Sequence, residues 1–294
     1  MKLMITVFLL SLLFPALYLT ADQHCTTNNP REAFVPADAP ESITLEGYAW
    51  QMPWGYNKPE NANRKYPLVV FTQRGEASFF FTTAIRQQYP AIYVYSKDTT
   101  DEGAEKFVAA VNALIDNGCR IDPGRIYLTG WSFGGSITFR MTRAFHSSGH
   151  AVAAISRIAG DLEHVVPACI FEETSVWLHL GGKDKGNVVG GKDRQIYMPE
   201  MYSDFKNYPG NSTAVETTNT VVLSVPGNCK PGLKKGYTAG DYTQITKTLT
   251  KNGIEIVKYS VYPELGHLTF AFYEDPAFCE WLFSRKTCMA PAPQ

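Results

Sequence analysis

The chain has 294 residues, 45% of them apolar, and carries 27 lysines and arginines against 28 aspartates and glutamates. Such a near-neutral balance lays down no basic footprint, which excludes binding to nucleic acid by charge. The length and apolar content, with no low-complexity linker and no internal repeat, fit one large α/β domain rather than two.

Residues 1–21 hold Lys2, an apolar run from Leu3 to Leu19 broken by Thr6, Ser11 and Pro15, and a small residue at Ala21. This pattern reads as a cleaved secretory signal. It falls short of the roughly 20 apolar residues that span a bilayer. No second apolar segment follows, so no stable membrane insertion is expected, and the mature chain, residues 22–294 with net charge −2, is expected outside the cell. Its six cysteines, at 25, 119, 169, 229, 279 and 288, include no C-x-x-C pair. That argues against a zinc site and for up to three disulfides, of which Cys279–Cys288 is one of fifteen possible pairings. Asn211-Ser212-Thr213 is a glycosylation sequon, conditional on a eukaryotic source.

Ile43 to Trp50 reads as a strand, followed by the turn-rich Pro53–Asn57. Tyr66–Phe71 and Ala91–Tyr95 are continuous apolar runs of the kind that form buried parallel strands. Asp101–Asp116 places Ala104, Phe107, Val108, Val111, Leu114 and Ile115 at helical spacing behind an acidic start. A strand from Ile126 then runs into Gly130-Trp131-Ser132-Phe133-Gly134, and Ser136–Phe145 is helix-competent. Further strands are expected at Ala151–Ile158, Val176–Leu180 and Ile254–Val261, with a helix over Gly240–Lys251. Residues 181–239, punctuated by Gly190-Gly191, Pro209-Gly210, Pro226-Gly227 and Pro231-Gly232, read as a long insertion. Strands alternating with helices imply a mostly parallel, doubly wound sheet flanked by helices.

G-x-S-x-G between a strand and a helix is a nucleophile elbow: the turn exposes the serine hydroxyl, and the glycines let strand and helix approach. Ser132 is therefore the candidate nucleophile, the alternative being a glycine-rich turn. It needs a base, and a third group to fix that base's tautomer. His267, in Pro263–His267 past the last strand, sits where ligand chemistry collects in open α/β sheets. His164 is a weaker surface alternative, and His179, inside an apolar strand, reads as core. Asp184, just after Val176–Leu180, is the first choice for the acid, with Asp193 and Asp161 as rivals that loop chemistry explains equally well. No metal and no organic cofactor is required by such a set.

The chain resembles the secreted α/β-hydrolases that include feruloyl and acetylxylan esterases and polyhydroxybutyrate depolymerases, and more distantly the catalytic domain of prolyl oligopeptidases. The likeness runs from about Tyr48 to Phe283 and rests on Tyr66–Phe71, Ile121–Gly130 leading into the elbow, His179–Asp184, and Gly266-His267. It implies an α/β-hydrolase fold with the insertion after the acid-bearing strand. It also implies a serine carboxylic ester hydrolase whose substrate, polymeric or not, carries feruloyl or acetyl esters of polysaccharide or is an aliphatic polyester. A prolyl oligopeptidase-type peptidase is the nearest rival, disfavoured because no propeller-like repeat precedes the domain. A non-catalytic binding protein on the same fold is the rival from another class.

The chain departs from the family at one loop, where a His-Gly pair is replaced by Thr72-Gln73-Arg74-Gly75. An oxyanion hole uses backbone N–H groups, expected here from Phe133 and from Arg74 or Gly75. Arg74 is either a steering charge for an acidic substrate or a solvated surface residue. Gln73 and Trp131 are candidate substrate contacts. Phe79–Phe81 and the flanking Trp131 and Phe133 either wall a pocket or pack as core.

Overall fold

A computed structural model describes residues 24–26, 42–73, 81, 83–160, 166–186, 193–225, 240–267, 273 and 275–287. Twelve strands, six α-helices and two short 3-10 helices are described. The amino-terminal half holds β1 (His24–Thr26), β2 (Ser42–Leu45), β3 (Tyr48–Gln51), β4 (Tyr66–Thr72), α1 (Thr83–Gln88), β5 (Ile92–Ser96), α2 (Asp101–Asp116), β6 (Ile121–Trp131) and α3 (Phe133–Ser147). Then come β7 (Ala154–Ile158), α4 (Ala168–Glu173), β8 (Ser175–Gly181), α5 (Arg194–Asn207), β9 (Val215–Val225), β10 (Gly240–Lys251), β11 (Ile254–Tyr262), α6 (Pro276–Ser284) and β12 (Arg285–Thr287).

Ten strands form one sheet in the order β2-β3-β5-β4-β6-β7-β8-β11-β10-β9, and β1 pairs with β12 apart from it. The six from β5 to β11 are parallel neighbours, with antiparallel pairs on both flanks. Alternation within each strand divides the core. Leu68, Val70, Ile92, Val94, Ile126 and Leu128 pack with α2, α3 and α5, whereas Val69, Phe71, Tyr93 and Tyr127 pack with α6. Burial on both faces explains why β4, β5, β7 and β8 are buried at every position and mostly apolar, as parallel strands covered by helices are.

α2 matches its sequence signal at both ends. Thr100 caps it through a bond from the Gly103 N–H, and Asp101 and Glu102 meet the positive end of the helix dipole. Two expectations differ from the fold. Ile43–Trp50 is a hairpin, β2 and β3, because Glu46 and Gly47, at φ 53° and 80°, form the two-residue left-handed turn that matches strand twist. Gly240–Lys251 is a strand. Tyr242, Gln244 and Thr246 bury alternate positions, its threonines favour a pleated surface, and Asn252-Gly253, at φ 52° and 80°, turn it into β11. The insertion expected over 181–239 contributes α5, whose buried face is Arg194, Tyr197, Met198, Met201, Tyr202 and Phe205, and the edge strand β9. No helix among the described residues is long and apolar enough to cross a membrane; residues 1–21 lie outside the described residues.

Candidate active site

β6 ends at Trp131, α3 begins at Phe133, and Ser132 between them adopts φ 55°, ψ −124°, a conformation that L-residues rarely hold without support. The support is local. The Ser132 N–H donates to the Ile158 carbonyl at 2.8 Å, and the Thr72 hydroxyl reaches the Gly134 carbonyl at 2.7 Å. A Cβ on Gly130 or Gly134 would collide with Thr72, and one on Gly135 would lie 2.7 Å from the Ile158 carbonyl. The glycines therefore let the helix start directly against the ends of β4 and β7.

The other two groups arrive from neighbouring parallel strands. β8 ends at Gly181, and the turn that follows carries Asp184, its N–H donating to the Gly181 carbonyl at 3.0 Å. β11 ends at Tyr262 and leads to His267. The two loops interlock: Gly182 donates to the Tyr262 carbonyl at 2.8 Å and Lys183 to the Leu265 carbonyl at 2.9 Å. His267 then lies between its partners, Nδ1 2.9 Å from Asp184 Oδ2 and Nε2 2.9 Å from Ser132 Oγ. A carboxylate only accepts, so Nδ1 carries the proton and Nε2 offers its lone pair to the serine hydroxyl. The Asp184 side chain is 2% exposed and that of His267 34%. Burial pushes the Asp184 carboxyl up, but the hydrogen bond from His267 and the Arg194 cation outweigh it and hold the group below its ordinary value.

Sequence reasoning missed Arg194. Its guanidinium, 3% exposed, sits 2.9 Å from Asp184 Oδ1 and 3.0 Å from His267 Nδ1. The signal was present: Arg194 is the one charged residue on a buried stripe spaced as a helix face, immediately after a capping aspartate. Gln195 was missed too; its Nε2 donates to the Gly181 and Asp184 carbonyls at 2.8 Å each.

The rivals fall elsewhere. Asp193 caps α5 through a 2.9 Å bond from the Gln195 N–H. His179 is fully buried in the sheet, with Nδ1 3.1 Å from the Tyr262 hydroxyl; burial, with Lys258 adding to it, holds its imidazole well below the usual range. Asp161, His164, Arg74 and Gly75 lie outside the described residues. Phe133 opens α3, where backbone N–H groups point out of the helix end. Gln73 is half-buried at the end of β4, its carbonyl accepting from the Tyr95 hydroxyl at 3.0 Å. Trp131 braces His267: its indole N–H donates to the His267 carbonyl at 2.8 Å, and the two rings are 4.9 Å apart. Phe81 is core, its ring 5.5 Å from Phe71 and 5.3 Å from Tyr273; Phe79 and Phe80 lie outside the described residues.

Other sequence expectations are narrowed. Asn211 is 5% exposed and its Nδ2, the atom a glycan would take, donates to the Phe205 carbonyl at 2.9 Å, so the folded chain does not present the sequon. Cys119 and Cys169 are free thiols, which leaves room for two disulfides at most. Cys279 is buried with its sulfur toward the Tyr273 carbonyl, and Cys288 lies outside the described residues. Among the described residues no group of three or more His, Cys, Asp or Glu is placed to hold a metal ion.

The sequence profile of the prolyl oligopeptidase family matches residues 93–161, from β5 through the elbow to the end of β7. No curated protein matches the sequence. Among solved structures, an acetyl xylan esterase from Aspergillus awamori superposes with a TM-score of 0.51 at 12% identity, over 83% of this chain and 98% of that one. A thermostable esterase gives 0.47 at 17% identity, over 84% of this chain, which spans 62% of the esterase's length. A dipeptidyl aminopeptidase IV from Bacteroides ovatus, described as putative, gives 0.40 at 13%, over 59% of this chain and 31% of that one. With the sheet order, the elbow after β6 and the superposition on the acetyl xylan esterase, the chain has the α/β-hydrolase fold.

Proposed function

We propose that the protein is a secreted serine carboxylic ester hydrolase. The observation that carries this reading is His267 held 2.9 Å from both Ser132 Oγ and Asp184 Oδ2, a nucleophile, base and orienting acid in mutual contact. Ser132 Oγ attacks the ester carbonyl carbon while its proton passes to His267 Nε2. The oxyanion takes hydrogen bonds from the Phe133 N–H, at the positive end of α3, and from Arg74 or Gly75. As the tetrahedral adduct collapses, the alcohol oxygen leaves with the proton from His267, and Ser132 keeps the acyl group. Water then repeats the sequence, giving its proton to His267, and Ser132 recovers its own as the acid departs. Asp184 does not itself take a proton; its charge keeps Nδ1–H in place and offsets the imidazolium that forms.

Ester bonds on polysaccharide, acetyl or feruloyl, are the first substrates to try, with aliphatic polyester next; the acetyl xylan esterase sharing the fold supports starting with acetyl. The match of residues 93–161 to the prolyl oligopeptidase family supports a peptidase as second reading. The two separate in one experiment: a fluorophosphonate probe on purified protein, then p-nitrophenyl acetate, p-nitrophenyl butyrate, methyl ferulate and a proline-containing peptide amide. Labelling with ester turnover is expected. Amide turnover without ester turnover moves the assignment to the peptidase, and folded protein that does not label sinks both in favour of a binding protein. Export, proposed from residues 1–21, is checked by amino-terminal sequencing of protein collected from the medium, expected to begin near Asp22.

Trp131→Phe keeps the ring against His267 and removes the indole N–H. The loss of one hydrogen bond that fixes the base is expected to lower kcat about fivefold to tenfold with little change in KM. An unchanged kcat assigns Trp131 to substrate contact or packing instead.

A further inference from the structure

Arg194 stands where local structure gives it no reason to be. A cation in the first turn of α5 opposes the helix dipole, and a guanidinium 3% exposed is tolerated only with partners. Its partners are the site itself. Nη1 has two hydrogens and accepts nothing; it donates to Asp184 Oδ1 at 2.9 Å and lies 3.0 Å from His267 Nδ1, itself a donor whose proton goes to Oδ2, so Arg194 meets the imidazole as a neighbouring charge and not through a hydrogen bond. Oδ1 also accepts from the Gly186 N–H at 3.1 Å. Two donors on Oδ1 fix the plane of the carboxylate and leave Oδ2 aimed at the imidazole. Gly186, at φ +61°, makes the space: a Cβ there would lie 2.7 Å from Arg194 Cγ and 2.8 Å from Nη1.

We infer that Arg194 is a positioning residue of the hydrolase site, a cation that keeps Asp184 ionised and turned toward His267 and so carries activity into acidic solution. The inference rests on the serine-hydrolase reading. The groups facing Asp184 are His267 from the loop after β11, Arg194 from α5 and the Gly186 N–H of its own turn. Among the opposing influences on the carboxyl, burial is the largest and raises its pKa, while His267 and Arg194 lower it. Removing Arg194 leaves burial less opposed. The carboxyl then takes up its proton at higher pH, and the imidazole, 3.0 Å from the same nitrogen, loses a neighbouring cation that opposed a second positive charge; both effects move the acid limb of the rate profile up in pH.

The test is kcat and KM on p-nitrophenyl acetate from pH 4 to 8 for wild type, Arg194→Gln, which keeps a donor and loses the charge, and Arg194→Lys, which keeps the charge. Arg194→Gln is expected to lower kcat tenfold or more at neutral pH, with KM within about twofold, and to shift the acid limb upward by about one unit. Arg194→Lys is expected to return most of that shift and only part of kcat, since an ammonium cannot reproduce the planar fork. Acid limbs coinciding in all three proteins reduce Arg194 to a structural tie and overturn the inference. If Arg194→Gln does not fold, Gly186→Ala decides, by displacing the guanidinium from Asp184: the limb again moves up, and an unmoved limb is the overturning result. Wild type that neither labels nor hydrolyses any ester refutes the underlying reading; working wild type with unmoved limbs refutes the role of Arg194 alone.

Discussion

Ser132→Ala is expected to abolish fluorophosphonate labelling and to lower kcat by about a million-fold, the scale on which loss of a triad nucleophile has been felt in serine hydrolases. The remaining rate comes from binding and oxyanion contacts, so KM for a small ester should hardly move. Stability should respond in the opposite sense at the same position. Ser132 sits at φ 55°, ψ −124°, a strain of about 1–3 kcal/mol that the surroundings impose on this serine. Ala keeps that strain and should melt close to wild type, while Ser132→Gly relieves part of it and should raise the stability by about 1 kcal/mol. An inactive glycine variant that is more stable than wild type would show that the elbow holds its serine at a cost. Residual turnover above about a hundredth of wild type in Ser132→Ala would mean that another group is the nucleophile, because no bypass through water reaches that rate.

The sequence was informative where chemistry and periodicity coincide. The buried strands were legible because both faces of a parallel sheet are covered, so β4, β5 and β8 have no exposed face to break the apolar run. Ser132, Asp184 and His267 were legible because they follow the carboxyl ends of the parallel strands β6, β8 and β11, and their contacts at 2.9 Å follow from the parallel order β6-β7-β8-β11. β10 was misread because a window centred on Ile245 and Leu249 has helical spacing if its threonines are ignored; Asn252-Gly253 was the stronger signal. α5 was hidden by Pro199 inside it, a residue that costs a helix interior about 3 kcal/mol. Burial of Tyr197, Met198, Met201, Tyr202 and Phe205, at about 1.5–3 kcal/mol for each large apolar side chain, outweighs it. Arg194 was invisible for a related reason: a buried arginine has meaning only through its partners, and those are 10 and 73 residues away.

Gly134→Ala should be the most damaging change that removes no functional group. A Cβ at this position would run into the Thr72 carbonyl and lie 2.8 Å from Gln73 Cα, both backbone atoms that no rotamer change can move. The start of α3 must then retreat from the end of β4 by about 1 Å, and misplacement on that scale costs about a hundredfold in rate. It separates the Phe133 N–H from the loop expected to supply the second oxyanion donor and strains the Thr72 to Gly134 hydrogen bond. A loss of about 3 kcal/mol in stability and at least a hundredfold in kcat is expected. Gly149→Ala is the control beyond the other end of α3. Gly149, just past α3, has φ +83° with nothing within 4 Å of a built Cβ, so alanine there meets backbone strain of about 1 kcal/mol and no collision. Melting and kcat of the two variants together decide the case. Equal losses of stability with equal kcat would show that the elbow tolerates separation from β4, and that the close approach of helix and strand is packing with no consequence for the reaction.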